Sequence, residues 1–515
     1  MKLNYRRTLL VGFAFFLILV FWQAYDNIIP KILTDKFGLS QFWSGIIMAL
    51  DNVLAVFMLP LFGALSDRHK SRRGRRTPFI LAGTLAASVL FLGLSFADQM
   101  QLNAVADIAA VTDTAASEER DEALLHLYHS ASWKIGIGNP NGPRETDLAN
   151  IYGSEEQFLE AMHGENPDMT WVTRARQAYA WQKTCENPVV LIVFMVLLLG
   201  VLVSMVTFRS PAVALMPDVT PKPLRSKANA IINLMGTAGG IIVLVLGIVF
   251  GTGKPENTLM SYTTFFIVVT LIMLAALFIF LLTVKEVPWA KEVTDAEEPE
   301  TATPSAGSAH GKLSGAELRS LAFILVSVAL WYMGYNAVTS KYSVYAGEVL
   351  QLDFNLTLII AQAAAIVSYI PVGIIASKVG RKKTILAGVA MLGIAFGAAA
   401  FMRAGSSALV MNLLFSLAGI GWATINVNSY PMVVELAKSG DTGKYTGYYY
   451  TASMSAQIIT PILSGAFLTF VGMETLFPYA AVFVGAAFVT MLFVRHGDSK
   501  PEQKKDLLES LDVDD

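Results

Sequence analysis

"GALSDRHKSRRGRR", residues 63–76, decides how the rest of the chain is read. It gathers Arg68, Lys70, Arg72, Arg73, Arg75 and Arg76 into one short run, with an almost uncharged stretch on each side. Positive charge packed between two apolar segments is what a short loop on the inner face of a membrane carries, because basic residues resist translocation. The flanking segments are long enough to span a bilayer as helices. The loop therefore belongs to a polytopic membrane protein.

Composition agrees. Of 515 residues, 54% are hydrophobic and 15% charged, and the mean hydropathy is +0.52. A soluble chain of this length needs more charge to cover its surface. The net charge of -2 is too small to imply a nucleic-acid partner. The one cysteine, Cys185, excludes an internal disulfide. The start, Lys2, Arg6 and Arg7 before an apolar run, imitates a signal peptide. The run continues through Trp22 to Asp26 and Pro30 without a small-residue cleavage site, so it reads as a first membrane helix.

Twelve spans are predicted, at 8–29, 42–66, 77–97, 188–216, 227–250, 261–284, 319–346, 356–377, 384–403, 407–435, 445–470 and 475–494. Basic residues recur in alternate short loops, at 63–76, at Lys222, Arg225 and Lys227, and at Lys378, Arg381, Lys382 and Lys383. Those loops and both termini are expected in the cytoplasm. The domain reading is a first six-helix bundle at 1–284, a flexible cytoplasmic linker at 285–318, a second bundle at 319–496 and a tail at 497–515. The linker's acidic, Pro/Ser/Ala/Thr-rich composition motivates its assignment. Residues 98–187 form an extracytoplasmic insert too polar to span. Ser154 and Gln157 suggest a capping box in it, 168–184 a short helix, and 138–143 a turn. His126 and His129 are too sparse for a metal site, and no cofactor motif is present.

The halves look like repeats. Gly63-x-x-x-Asp67-Arg68 before Gly74-Arg75-Arg76 has a counterpart in Gly373-x-x-x-Ser377-Lys378-x-Gly380-Arg381. "ALMPDVTPKPLR" (214–225) has a looser echo in "MVVELAKSGDTGK" (432–444). Duplicated helical units build many secondary transporters.

These residues resemble the major facilitator superfamily, whose signature loop between helices 2 and 3 is G-x-x-x-D-R, a spacer, then G-R-R. The lengthened spacer, with "RSPAVALMPD", "ANAIINLMG", "SYPMVVELA" and "QIITPILSG", is similar to the glycoside–pentoside–hexuronide:cation symporters and the related sucrose/proton symporters. The resemblance covers both halves but not the insert. It implies an all-α fold of two pseudo-symmetric six-helix bundles, and a cytoplasmic gate closed by the Asp67 loop against the start of helix 11 near Lys444–Gly447. Gate candidates are Gly63, Asp67, Arg68, Gly74, Arg75, Arg76, Asp218, Arg225, Gly373, Gly380, Arg381, Glu435 and Lys444. Asp67 at a helix C-terminus needs compensating positive charge, and Ser377 in place of a second acid puts a symmetric latch in doubt.

Ionisable residues inside spans are costly and tend to be functional. Asp26 and Asp51 are the cation-coupling candidates. Gln23, Asp26 and Asn27 share one helix face, as do Met48, Asp51 and Asn52. The melibiose-type sodium site uses paired acids nearer the signature glycine, where this chain has Ala55 and Leu59; that departure favours protons. Sugars call for aromatic faces and neutral hydrogen-bonding groups. Candidates besides Gln23, Asn27 and Asn52 are Asn229, Asn233, Trp331, Tyr335, Asn336, Gln362, Trp422, Asn426, Tyr449, Ser453 and Gln457. Tyr342, Tyr345 and Tyr445 read as an interfacial belt, Lys341 as snorkelling outward, and Arg209 as either a site partner or a snorkelling cation.

The expected function is symport of a sucrose- or maltose-like sugar or glycoside with a proton, by a monomer in the cell membrane. Alternatives are a drug/proton antiporter on the same fold, disfavoured because "NLMGTAGGIIVLVLG" lacks a proline, and a sensor using the insert, disfavoured by the lack of an output domain. No catalytic constellation suggests an enzyme.

Overall fold

The computed structural model describes residues 4–113, 117–135, 144–164, 167–220, 225–297, 314–436 and 442–497. Twelve long helices fall on the predicted spans. In the first half these are α1 (Tyr5–Lys31), α2 (Gln41–Arg68), α3 (Thr77–Ala104), α8 (Pro188–Asp218), α9 (Arg225–Phe250) and α10 (Thr263–Thr283). In the second they are α12 (Gly315–Tyr345), α13 (Phe354–Val379), α14 (Arg381–Ala399), α15 (Ala408–Glu435), α16 (Thr442–Phe470) and α17 (Leu476–Leu492). Among the described residues, eleven helices are long and apolar enough to cross a membrane, and α13 adds a shorter apolar stretch at Phe354–Tyr369. Each half buries its own apolar core, one around Phe21, Phe91 and Phe266 and the other around Trp331, Phe415 and Phe477.

The halves meet along α2 against α16, α9 against α13, and α1 against α12. Glycines permit the first of these approaches. A Cβ on Gly45 would stand 2.0 Å from the Pro461 carbonyl oxygen, and one on Gly465 would stand 2.3 Å from that of Gln41. Both halves also carry the same irregularity at the same end, a π-helical turn closing the first helix of each bundle: Ile32–Lys36 after α1 and Ala346–Leu350 after α12. The shared irregularity is a structural echo of the repeat seen in the loops.

The insert lies at that same end. It comprises α4 (Glu118–Ser130), the antiparallel pair β1 (Ser132–Ile135) and β2 (Arg144–Asp147), α5 (Leu148–Tyr152), α6 (Glu155–His163) and α7 (Thr170–Glu186). The hairpin is the one departure from an all-α chain among the described residues. Ser154 and Gln157 form the expected capping box and α7 is the expected helix. The expected turn at 138–143 lies outside the described residues. The insert has its own core of Leu124, Leu127, Leu148, Phe158, Val172 and Tyr179. Burial, then a 3.0 Å bond donated to Asp107, pushes the Tyr179 hydroxyl above its ordinary range, so it stays a donor.

Two sequence expectations need correcting. The linker is not flexible from its start: α11 (Glu286–Glu297) is helical and docked, with Trp289 and Val293 buried. The second bundle begins at Gly315, earlier than 319, because Ser314 and Glu317 cap α12 reciprocally.

Candidate functional site

Pro30 reads in the sequence as the end of the first helix. Its ring fits without ending α1, which costs only the hydrogen bond to the Asp26 carbonyl. The helix runs on into the π turn at Lys36. Asp26 is therefore ten residues from that end, roughly 15 Å deep at 1.5 Å per residue, and not at a water boundary. One turn earlier, Gln23 accepts a 2.7 Å bond from the Gln362 amide of α13. The face bearing Gln23, Asp26 and Asn27 thus looks at the second half.

Asp51 of α2 accepts from its neighbour Asn52 at 2.7 Å. Asp26, Asp51 and Arg209 of α8 lie close enough to act on one another electrostatically, with Tyr25 and Tyr450 beside them. The Arg209 guanidinium sits 5.5 Å from the Trp22 ring centroid. Between the two readings of Arg209, this position favours the site partner over a cation reaching for the surface.

The second half contributes an aromatic platform. Tyr335 and Trp422 stack with centroids 3.7 Å apart and planes within 1°, and Tyr332 packs edge-on to Trp422 at 5.2 Å. Tyr449 bonds Tyr332 and, at 3.0 Å, Ser429. Asn426 bonds Tyr369. Gln457 and Ser453 of α16 bond its own backbone carbonyls, at 3.3 Å and 3.1 Å. Trp22 Nε1, Tyr25 Oη and Asn336 Nδ2 are buried polar atoms with no partner among the described residues.

Some candidates do not join this group. Trp331 is fully buried in the second core and its ring packs rather than lines a cavity. Tyr342, Tyr345 and Tyr445 are buried in the same core and are no interfacial belt. Lys341 does not snorkel: it is fully buried and donates across the halves to the Gln41 carbonyl at 3.1 Å. Asn233 is exposed on α9. The side chains of Asn229, Arg225, Glu435 and Lys444, and Gly373, lie outside those described. Tyr332, Tyr369, Trp22 and Tyr25 went unnoticed in the sequence, although each lies within four residues of a named candidate or, for Tyr369, one turn-pair beyond Gln362.

At the signature loop, Asp218 receives Arg75 and Arg76 at 2.7 Å and 2.8 Å. Arg76 also binds Asp67 and the Ser66 hydroxyl. Gly74 takes φ +110°, and a Cβ there would fall 2.2 Å from the Glu286 carboxyl carbon. That carboxylate accepts the backbone N–H groups of Arg75, Arg76 and Thr77 at 2.7–2.8 Å and the Thr77 hydroxyl at 2.7 Å. It caps α3 where the helix dipole favours an anion. The G-R-R element therefore grips the linker. Asp67 closes on Arg76 of its own loop, whereas the expected contact at Lys444–Gly447 involves side chains outside those described. Arg68 is exposed, and Gly380 ends α13 at φ +100° with Arg381 opening α14.

The two ends of the molecule differ. At the insert end the halves are joined by Lys341 to Gln41, by the Phe42 N–H to Thr469 at 2.9 Å, and by Gln177 to Glu348 at 2.7 Å. At the signature-loop end, the ion pairs between described residues all stay within the first half and its linker. Among the described residues, polar contacts between the halves are thus seen at the insert end.

Residues 179–461 and 360–511 match the family model described as Major Facilitator Superfamily, and residues 10–111 match one described as MFS/sugar transport protein. The chain is 36% identical over 132 residues to "Sucrose transport protein SUC4" of Arabidopsis thaliana; the match spans 25% of this chain and 24% of that one. A crystal structure of the peptide transporter POT in complex with sulfate covers 95% of this chain and 93% of its own, at TM-score 0.58 and 12% identity. A D-xylose-proton symporter structure covers 96% and 99%, at TM-score 0.53 and 14% identity. The two structures share the fold.

Proposed function

The chain belongs to the major facilitator superfamily, and on that premise we propose that it symports a sugar or glycoside of disaccharide size with a proton. The signature-loop end and both termini face the cytoplasm in this reading, as the basic loops require. The protein works as a monomer that rocks its halves about the central group of polar and aromatic side chains.

One observation carries the reading. Gln23 of the first half bonds Gln362 of the second, and the Asp26–Asp51–Arg209 group acts on Tyr450 of the second half, which neighbours Tyr449 and Tyr332 beside the Tyr335–Trp422 platform. An aromatic face covers the apolar side of a sugar ring, while amides and buried orphan donors match its hydroxyls. Half-buried carboxylates between the halves, Asp26 and Asp51, can take up and release a proton as access alternates. The match to a sucrose transport protein supports the sugar class.

The test is uptake of labelled sucrose, maltose and related glycosides by proteoliposomes under an imposed inward proton gradient. Accumulation that collapses with a protonophore is expected. Absence of sugar-dependent flux across the panel would reject the substrate class, and gradient-independent accumulation would reject the coupling.

A further inference from the structure

We infer that the insert is the outer latch of the transport cycle, and that Glu348 is the side chain through which it holds the second half. The inference rests on the reading of the chain as an alternating-access transporter, but on no particular solute.

Helix α7 is seated on the first half. Gly38, at φ +69°, lies so close beneath it that a Cβ would come within 2.3 Å of the Gln177 carbonyl oxygen and the Trp181 nitrogen. The Thr184 hydroxyl donates to the Phe37 carbonyl at 2.9 Å, and Gln101 bridges Lys36 and Thr184 at 2.9 Å and 3.0 Å. Two turns before Thr184, Arg176 pairs with Asp35 of the π turn at 3.4 Å, with both side chains at most 5% exposed. Lys36 meets Asp98 of α3 at 2.6 Å, both fully buried.

From this anchored helix Gln177 reaches across and donates to Glu348 in the matching π turn of the second half, at 2.7 Å. The groups facing Glu348 are Lys31 and Asp35 from α1 and its π turn, and Arg176 and Gln177 from α7. The Lys31 ammonium lies 3.7 Å from where a Gly347 Cβ would stand. Lys36, through Asp35, and Asp353, through Lys31, form the next layer.

Counting charges explains the arrangement. The first half and insert bring three buried cations, Lys31, Lys36 and Arg176, against two buried anions, Asp35 and Asp98. Against this surplus the second half brings Glu348, bonded directly by Gln177, and Asp353 behind it, acting through Lys31. Buried charges persist only when balanced and hydrogen-bonded, so the closed state draws on Glu348 as the anion nearest the insert. A proton on Glu348 cancels its charge, weakens the bond from Gln177 and leaves Lys31 and Arg176 less balanced. Acid on the insert side therefore loosens the latch and favours opening there.

The test uses a buried reporter and an exposed reference in one molecule. Gln41, buried beneath α16 and Lys341, is replaced by cysteine (Gln41→Cys), and the native, exposed Cys185 is retained. Purified protein in lipid nanodiscs is labelled with a charged maleimide, and mass spectrometry reads labelling at position 41 relative to labelling at Cys185. The same ratio measured on unfolded protein at each pH corrects for the intrinsic pH dependence of the two thiols. Lowering pH from 9.0 to 5.5 raises the corrected ratio about tenfold, as weakening a charge-assisted hydrogen bond predicts. Glu348→Gln gives the raised ratio already at pH 9.0 and abolishes the pH response. Gln177→Ala raises the ratio at pH 9.0 while keeping a response to acid. A Glu348→Gln protein with the parent's ratio or the parent's pH response overturns the role of Glu348. A Gln177→Ala protein indistinguishable from the parent overturns the latch role of the insert, and both the parent's pH series and Gln177→Ala remain decisive if Glu348→Gln does not fold. No sugar enters the assay, so failure of the sugar reading leaves these outcomes unchanged.

Discussion

Replacing Glu286 by Ala should release α11 from the first bundle while leaving the membrane helices in place. The Glu286 Oε1 atom accepts the N–H groups of Arg75 and Arg76, and Oε2 accepts the N–H and hydroxyl of Thr77. The residue is 4% exposed. A hydrogen bond to a charged group is worth about 1.5–3 kcal/mol. The four share one carboxylate and are not additive, and water satisfies the freed amides once α11 lifts off. A loss of about 3 kcal/mol for Glu286→Ala is therefore the reasonable sum, which multiplies the undocked population about 100-fold. Glu286→Gln keeps one acceptor oxygen and can satisfy the Arg75 and Arg76 amides, but its NH2 group faces the Thr77 N–H, donor against donor. Half the effect, about tenfold, should follow. A 12-residue helix is marginal once detached, so undocked amides exchange freely. Hydrogen exchange by mass spectrometry on residues 286–297 reads the population directly. Unchanged protection of that peptide in Glu286→Ala would refute the claim that the signature loop grips the linker through this carboxylate.

Three further outcomes follow from the geometry. Gly45→Ala and Gly465→Ala place a methyl group within about 2 Å of a carbonyl oxygen across the α2–α16 contact, so each should hold the insert end open, cut transport at least tenfold, and leave a cysteine introduced at position 41 fully reactive. Lys341→Met removes a fully buried cation whose described partner is a single carbonyl; relieving that burial should stabilise the protein by about 2 kcal/mol, seen as a higher melting temperature in lipid nanodiscs, and a lower one would mean the Lys341–Gln41 bond outweighs its burial. Asp26→Asn and Asp51→Asn should each lower proton-driven accumulation at least tenfold while sparing sugar exchange, measured by uptake and counterflow in the same vesicles; equal loss of both activities would make these residues structural.

The twelve helices are legible because long apolar runs separated by basic loops admit few other arrangements. What the sequence hides is where those helices stop. Lys31, Asp35 and Lys36 follow a proline and look like an exposed loop, yet all three are buried. Their partners are remote in sequence: Asp98 lies 62 positions from Lys36, and Arg176 lies 141 from Asp35. Hydropathy counts each charge alone and cannot see that the two cancel. Glu286 was lost for a related reason, since one cap among the linker's many acids has no compositional signature. The central group was read in part. Asp26, Asp51, Gln23 and Gln362 stood out as polar residues in apolar spans, whereas Trp331 stood out equally and proved to be packing, and Tyr342, read as an interfacial belt, lies in the same core. Aromatic rings have a polar tip and an apolar body, and only the three-dimensional neighbours decide which one a helix presents.

The contrast between the two ends bears on how such a protein can switch at all. A closed end held only by apolar contact would reopen at a cost set by buried area, with nothing on the solvent side to offset it. At the insert end the contact instead includes a hydrogen bond to a carboxylate inside a charge-balanced cluster. Separating the halves there breaks that balance but lets water reach Glu348 and Lys31, and the hydration recovered offsets much of the pairing lost. The free-energy difference between closed and open states can then stay within the few kcal/mol that a proton or a bound solute is able to tip. The signature-loop end has the complementary property. Arg75 and Arg76 are already paired with Asp218, and Arg76 also with Asp67, within one half, so that end can part from the second half without stripping these two arginines of their partners.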